Sequence, residues 1–200
     1  MVHGLLHHRF VISAAHPPFY AMLNKAYVSK KERVKIAEEQ GDYQTIIRMH
    51  ERPYRLEAFI EIIESGAELE SQEYWNLVRT IWTDSENIHQ CFHDWLTIWD
   101  YPDDRHLVMN EAERAVLASL PDDIEIYRGV RHMECARGLS WSTDKARATW
   151  FARRWSGGQE AILATGRVKK ADVLAYFDGR NESEVVVNPD SVLDFGTQKL

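Results

Sequence analysis

The spacing of apolar residues changes at Pro121, and no other feature of the chain limits its fold as strongly. Before Pro121 the apolar residues recur three and four positions apart, which is the spacing of an amphipathic helix. After Pro121 they fall in short runs rich in β-branched residues, which is typical of strands. We therefore predict an α+β protein, with a helical region at residues 1–121 and a sheet-rich region at residues 122–200. The intervening turn is too short for a flexible linker, so the helical half is expected to pack on the sheet core.

Apolar stripes predict several helices in the front half. The stripes are Leu56, Phe59, Ile62 and Ile63; Tyr74, Leu77, Val78, Ile81 and Trp82; and Ile88, Phe92, Trp95, Leu96 and Trp99. Asn110 followed by Glu113 resembles a capping box and predicts a short helix that ends before Pro121. His3, His7 and His8 are expected to lie in a frayed terminus.

Short apolar runs predict strands in the back half, because turn-forming residues separate them. The runs are Ile124 to Tyr127, Leu139 to Ser142, Ala161 to Val168, Val173 to Phe177, Glu184 to Val187 and Ser191 to Phe195. One helix is predicted among them, because Ala148, Ala152 and Trp155 share a face. Thr143 or Asp144 is expected to cap its first turn.

The net charge of −7 conceals a basic segment. Residues 126–180 contain eleven Lys and Arg against five Asp and Glu, so they carry about +6 while the rest of the chain carries about −13. A basic segment in an acidic protein suits an anionic ligand, such as a dinucleotide or a nucleic acid. The alternative is an ordinary solvated face.

The cysteines and histidines suggest neither a disulfide framework nor a metal site. Cys91 and Cys135 are too few for such a framework, so a reducing compartment is expected. His89 and His93 have a spacing that suits a metal on a helix, but no third ligand is placed and no metal is predicted. Histidines interrupt the apolar residues at the N-terminus, so neither a signal peptide nor a membrane span is predicted. We expect a cytoplasmic protein without a membrane partner.

Three short motifs lie at the edges of predicted strands in the back half. They are Tyr127-Arg128-Gly129, Ser142-Thr143-Asp144 and Glu182-Ser183-Glu184. In this order they resemble the Arg, Ser-Thr-Ser and Glu-x-Glu signature of toxin-like ADP-ribosyltransferases of the arginine-serine-glutamate class. The resemblance covers about 75 residues and implies an ADP-ribosyltransferase-like sheet core at residues 122–200 that uses NAD⁺ as its donor. It offers no counterpart for the helical N-terminal extension.

The resemblance assigns different work to the two glutamates. Transfer from NAD⁺ breaks the bond between nicotinamide and ribose, and a carboxylate stabilises the positive charge that develops on the ribose. The resemblance gives this role to Glu184, with Ser142 donating a hydrogen bond that orients it. It makes Glu182 the general base that takes a proton from the acceptor. Glu182 is expected on the same strand face as Glu184, because the two are separated by one residue.

The resemblance also implies which residues bind NAD⁺. Arg128, with Tyr127 and Gly129 beside it, would hold a phosphate or the adjoining ribose, because a guanidinium fork matches those oxygens. Trp141 would stack on nicotinamide, although a large aromatic residue at strand spacing is more often part of a core. Residues 154–158 lie where the family carries a mobile loop. The serine motif departs from the family pattern, since Asp144 replaces its third hydroxyl residue.

The predicted function is transfer of one ADP-ribose from NAD⁺ to a macromolecule, either an arginine of a protein or a nucleobase of RNA or DNA. Such a protein would be a bacterial or phage toxin, with an antitoxin or immunity protein as a further partner. Arg180, in the loop before Glu182, is a basic residue that is compatible with RNA or DNA as the acceptor. Two alternatives remain: an NAD⁺-degrading glycohydrolase-type toxin, which would not need Glu182, and a non-catalytic module that binds NAD⁺ or a partner.

Overall fold

The computed structural model describes residues 4–15, 17–86, 88–101, 103–155 and 160–200. The chain divides into two compact units between Glu86 and Asn87. Both units contain helices and strands, so the chain is an α+β protein, as predicted. Residues 156–158 of the predicted mobile loop lie outside the described residues.

The first unit begins with an antiparallel hairpin and continues with helices. The hairpin consists of β1 (Gly4–His8) and β2 (Val11–Ala15). The helices are α1 (Tyr20–Gln40), α2 (Tyr43–Met49), α3 (Arg55–Glu64) and α4 (Ser71–Asp84). The structure confirms the predicted helices α3 and α4, whose apolar stripes are largely buried. Trp75 and Trp82 of α4 are completely enclosed.

The hairpin corrects the prediction of a frayed terminus for His7 and His8, whereas His3 lies outside the described residues. His7 and His8 lie in β1, where they pair with Ile12 and Val11 of β2. The hairpin is fixed because Phe10 in its turn is buried against the ring of His50, with ring centroids 4.8 Å apart. His50 is itself buried, and its Nδ1 lies 2.7 Å from the carbonyl oxygen of Ile46. Burial lowers the pKa of His50 below its ordinary value of 6.5.

The second unit contains helices and a mixed-length antiparallel sheet. The helices are α5 (Phe92–Trp99), α6 (Glu111–Ser119) and α7 (Lys145–Trp155). Within the described residues the sheet has six strands: β3 (Asp123–Val130), β4 (Ser140–Ser142), β5 (Ile162–Lys169), β6 (Val173–Phe177), β7 (Glu184–Val187) and β8 (Leu193–Lys199). The strand order is β6-β7-β4-β3-β5-β8. Every predicted strand is therefore confirmed, although several ends differ by a few residues.

Helix α6 belongs to the same unit as the sheet. The predicted capping box is present, because Asn110 Oδ1 accepts from the Glu113 backbone N–H and Glu113 Oε2 accepts from the Asn110 backbone N–H, both at 2.9 Å. Lys170, the first residue after β5, donates its Nζ to the carbonyl of Leu120 at 2.8 Å. The backbone N–H of Tyr176 in β6 donates to Met109 Sδ at 3.2 Å. These contacts join the segment before Pro121 to the sheet, so the compact unit begins upstream of the change in apolar spacing.

The outer strand β8 is irregular. Its pairing with β5 shifts register between Thr165 and Arg167. Asp194 in β8 has a left-handed backbone conformation, with a φ of 49°. The carboxylate of Asp194 accepts hydrogen bonds from the Arg167 guanidinium. The regular ladder between β5 and β8 is therefore interrupted near the start of β8.

Helix α7 packs directly on β3. A Cβ atom on Gly129 would lie 2.2 Å from the carbonyl oxygen of Ala148 and 2.4 Å from the nitrogen of Ala152. Only glycine allows this approach of helix backbone to strand. Of the two predicted caps, Thr143 and Asp144, it is Asp144 that caps the helix. Its Oδ1 accepts from the backbone N–H groups of Ala146 at 2.8 Å and Arg147 at 3.1 Å. The cap and the glycine together fix the helix that follows β4.

Candidate functional site

The sheet brings the three sequence motifs together. Strand β4 lies between β3 and β7, so the serine motif is flanked by the arginine motif and the glutamate motif. Tyr127 of β3 is the register partner of Ser142, and Ser142 is the register partner of Glu184 in β7. These residues form one row across the central strands. Motifs that are up to 57 positions apart in sequence thus meet at one place.

Glu184 is a buried carboxylate held by a serine. Its residue surface is only 5% exposed, and Ser140 Oγ donates to its Oε1 at 2.5 Å. The hydrogen bond predicted from Ser142 is not the one that forms. Ser142 Oγ instead donates to the carbonyl oxygen of Glu182 at 2.6 Å and accepts from the Asp144 N–H at 3.0 Å.

Ser140 is not among the predicted site residues, because it lies outside the Ser142-Thr143-Asp144 motif. Ser140 and Ser142 lie on the same face of the strand, since they are two positions apart. Both are therefore placed to approach a carboxylate at the start of β7. The hydroxyl of Ser142 is engaged in the turn into α7, which leaves the contact with Glu184 to Ser140.

Arg128 is linked to Glu184 through Ser140. Its Nε donates to the carbonyl oxygen of Cys135 at 3.1 Å, and its Nη1 donates to the carbonyl oxygen of Ser140 at 2.5 Å. Gly138 leaves room for the guanidinium, because a Cβ at that position would lie 2.7 Å from Cζ. Burial lowers the pKa of Arg128 from its ordinary value, while the charge of Glu184 acts in the opposite direction. The backbone of Ser140 therefore serves the cation and its hydroxyl serves the carboxylate.

Glu182 lies in a turn before β7, which corrects the prediction that it shares a strand face with Glu184. The strand begins only at Glu184. Asn181 and Ser183 have φ angles of 52° and 45°, in the left-handed region that interrupts strand alternation. Asp178 stabilises this turn, because its carbonyl accepts from the Asn181 N–H at 2.9 Å and its Oδ1 accepts from the Ser183 N–H at 3.1 Å.

The side chain of Glu182 is more accessible than that of Glu184 and contacts a cation. Its side chain is 21% exposed, and Glu182 Oε2 lies 3.0 Å from Nη2 of Arg180. The backbone around it is anchored to the end of β4, because the Thr143 N–H donates to the carbonyl of Ser183 at 3.0 Å. Glu182 is thus half-buried, whereas Glu184 is almost completely buried.

The structure places Trp141 and Gly129 in packing contacts with other parts of the chain. Trp141 is 2% exposed, its Nε1 donates to the carbonyl of Gly138 at 2.7 Å, and its ring meets that of Phe195 edge to face. The space beside Gly129 is occupied by α7, as described above.

The Tyr127 side chain of the first motif contacts residues of both β3 and α7. Tyr127 is half-buried, and its hydroxyl donates to Glu125 Oε2 at 2.6 Å. This hydrogen bond raises the pKa of the phenol. Lys145 Nζ lies 5.7 Å from the centre of the ring, so the ring also contacts the first turn of α7.

No group of three or more His, Cys, Asp and Glu side chains in the described part of the chain is arranged to hold a metal ion. None of the helices in the described ranges combines the length and the apolar character needed to cross a bilayer.

Comparison of the chain with family models, with curated proteins and with solved structures yields no match. A buried carboxylate in a fixed position is suited to stabilise positive charge that develops in a reaction. A more exposed carboxylate beside it is suited to exchange a proton with a second reactant. Glu184 and Glu182 have these two environments.

Proposed function

We propose that this protein is a mono-ADP-ribosyltransferase that moves ADP-ribose from NAD⁺ to a macromolecular acceptor. The observation that carries the proposal is the arrangement of Glu184, Ser140 and Arg128 at the centre of the sheet. Burying a carboxylate costs free energy, which a neighbouring cation and a hydrogen bond only partly offset. Such a cost is readily understood if the carboxylate has a catalytic role.

In the proposed reaction Glu184 stabilises the ribose as its bond to nicotinamide breaks. Positive charge develops on the ribose in that step, and a carboxylate that is already fixed needs no reorganisation to meet it. Ser140 donates a hydrogen bond to Oε1 of Glu184, and this contact also fixes the orientation of Oε2. Removing a preorganised electrostatic contact of this kind typically lowers kcat by about 10² to 10³-fold.

Arg128 and Glu182 are proposed to act on opposite sides of the reacting bond. Two N–H groups of Arg128 are engaged by backbone carbonyls, and a guanidinium has five. We propose that the remaining donors meet a phosphate or ribose oxygen of NAD⁺. Glu182, which is closer to solvent, would accept a proton from the acceptor as the new bond forms. The cytoplasmic location and the antitoxin partner remain predictions from the sequence.

The test follows both products of the reaction. The full chain is incubated with NAD⁺ labelled in its adenylate half and with cell lysate, and label is measured in protein, in nucleic acid and in free ADP-ribose, together with released nicotinamide. Label in protein or in nucleic acid supports the transferase and identifies its acceptor class. Label only in free ADP-ribose would support the NAD⁺-degrading alternative.

Variants of the glutamates make the test specific. Glu184→Gln should abolish transfer and nicotinamide release together, because its role precedes the choice of acceptor. Glu182→Gln should lower transfer by about 10² to 10⁴-fold and leave residual hydrolysis. Glu160→Gln is the control, since Glu160 is exposed and paired with Lys199. Full activity in Glu184→Gln would exclude the proposed mechanism.

A further inference from the structure

Helix α7 carries an exposed tryptophan on the face that points away from the sheet. Ala148 and Ala152 form the face that packs on β3, and Trp150 lies two positions from each of them. Successive helical residues are about 100° apart, so this spacing places Trp150 on the opposite side of the helix, where it is 46% exposed. The other indoles that the structure describes are at most 2% exposed, namely those of Trp75, Trp82, Trp95, Trp99 and Trp141. Packing in a core therefore does not account for the indole of Trp150.

Neighbours in the same helix stack on this indole. The Cζ atoms of Arg154 and Arg147 lie 5.0 Å and 5.9 Å from the centre of the Trp150 ring. The ring of Phe151 meets the same indole edge to face, with ring centroids 5.0 Å apart. A cation is attracted to the face of an aromatic ring, and a nucleobase stacks on the same kind of face. The surface of α7 thus presents an indole and guanidinium groups side by side.

The charges of α7 all have the same sign. The helix contains no Asp or Glu but has four cations, which are Lys145, Arg147, Arg153 and Arg154. The carboxylate of Asp144, which precedes the helix, is engaged in capping its first turn. In the described part of the chain Arg147 forms no ion pair with a carboxylate. The helix therefore supplies four of the eleven cations of the basic segment at residues 126–180 and is complementary to a polyanion.

An exposed indole among cations suits single-stranded nucleic acid better than other polyanions. A duplex presents phosphates but keeps its bases stacked inside, whereas a single strand offers both phosphates and free base faces. An anionic membrane would also attract the cations, but a helix that enters its surface needs a broad apolar face. Among the positions of α7 whose burial is described, Trp150 is the one large apolar residue in the exposed class.

We propose that α7 binds single-stranded nucleic acid, with a base stacked on Trp150 and with phosphates of the strand contacted by Arg147 and Lys145. Lys145 Nζ lies 5.7 Å from the centre of the Tyr127 ring, so the first turn of α7 borders the row that contains Glu184. A strand bound there is the acceptor of the proposed transferase. That last statement rests on the proposed function, whereas the binding itself is inferred from α7 alone.

The experiment measures binding in the absence of NAD⁺, so its result does not depend on transfer. Fluorescein-labelled single strands of RNA and DNA and the matching DNA duplex are titrated with the purified full chain, and anisotropy is followed between about 50 and 200 mM salt. We expect a single strand to bind more tightly than the duplex. Trp150→Ala should weaken single-strand binding by about 5 to 150-fold, which is the range for the loss of one stacked base. Trp150→Phe should keep most of the affinity, because a phenyl ring also stacks on a base.

Arg147→Gln tests the contact with phosphate. Loss of one cation that contacts a single strand should make the slope of log K against log salt less negative by about 0.7. Tyr20→Ala is the control for an exposed aromatic residue, since Tyr20 is 49% exposed on α1. Arg167→Gln is the control for charge, since Arg167 lies on β5 and pairs with Asp194. Neither control should change the affinity or the slope appreciably, and circular dichroism shows whether each variant is folded.

Four results would overturn the inference. They are absence of single-strand binding at about 50 mM salt, an unchanged affinity in Trp150→Ala, equal losses in Arg147→Gln and Arg167→Gln, and binding to phosphatidylserine vesicles without binding to oligonucleotides. The third would attribute binding to net charge, and the fourth would assign α7 to a membrane surface. Nicotinamide release is measured separately, so its absence would overturn the proposed function and leave the binding result intact.

Discussion

Replacing Ser140 by alanine tests the arrangement around Glu184 directly. The change removes the hydroxyl that donates to Oε1 of Glu184 but keeps the backbone carbonyl that accepts from Arg128. Ser142→Ala is the matched control in the same strand, because it removes the hydroxyl that contacts the carbonyl of Glu182. We expect Ser140→Ala to impair the step common to transfer and hydrolysis, and Ser142→Ala to impair transfer alone.

The size of the effect follows from the kind of contact that is lost. A hydrogen bond to a charged group contributes about 1.5 to 3 kcal/mol. Because a tenfold change in rate corresponds to about 1.4 kcal/mol, nicotinamide release should slow by roughly 10 to 150-fold. Glu184 is only 5% exposed, so water cannot easily replace the hydroxyl, and the larger figure is the better expectation.

Steady-state nicotinamide release is measured for wild type, Ser140→Ala, Ser142→Ala and Ser140→Thr. Because Ser140 orients a group that acts in the transition state, kcat should fall while KM changes little. Ser140→Thr keeps the hydroxyl and should recover most of the rate. Circular dichroism and thermal unfolding show whether each variant is folded.

Two results would refute this reasoning. An unchanged kcat in Ser140→Ala would mean that the hydroxyl does not orient a catalytic carboxylate. A larger loss of nicotinamide release in Ser142→Ala than in Ser140→Ala would return the orienting role to Ser142, as the sequence predicts.

Further predictions concern stability as well as binding. Arg128→Ala leaves two backbone carbonyls without their donor, so the free energy of unfolding, measured by denaturant titration, should fall by about 1 to 3 kcal/mol. The same variant should bind NAD⁺ more weakly in calorimetry, and an unchanged NAD⁺ affinity would exclude a binding role for Arg128. Gly129→Ala forces a Cβ into the backbone of α7 and should lower Tm by several degrees. A Cβ at Gly179 would meet no atom within 4 Å, so Gly179→Ala should lower Tm far less. Equal changes in Tm for the two variants would contradict this expectation. Burial lowers the pKa of His50 in the folded state, so protonation of His50 favours unfolding. The free energy of unfolding of the first unit should therefore fall as the pH drops below about 6.5, the pKa of an ordinary histidine. Unfolding curves recorded at acid pH should show a weaker pH dependence for His50→Gln.

Local patterns in the sequence were enough to predict much of the fold. The capping box of α6 depends only on residues three positions apart, so Asn110 and Glu113 identify it without tertiary information. The strands of the sheet are bounded by turn residues and have buried apolar positions, which the period of the sequence reveals. The meeting of the three motifs at one place was implied by the family resemblance, and the register of β3, β4 and β7 brings them together.

What the sequence did not reveal depends on contacts between distant residues. The N-terminal hairpin is fixed by packing of Phe10 on His50, forty positions away. The choice of Ser140 over Ser142 as the partner of Glu184 depends on which hydroxyl the turn into α7 already uses. The left-handed conformation of Ser183 places Glu182 outside the strand, and serine gives no local signal for that conformation.

The borders of the sheet have a consequence for how the protein behaves at high concentration. An open sheet presents unpaired backbone groups along its outer strands, and such borders can recruit further chains into aggregates. In β6 the outward N–H of Tyr176 is taken up by the sulfur of Met109. In β8 the register shift and the left-handed Asp194 break the straight line that an added strand would need. By this argument both outer strands among the described residues are poor templates for an added strand.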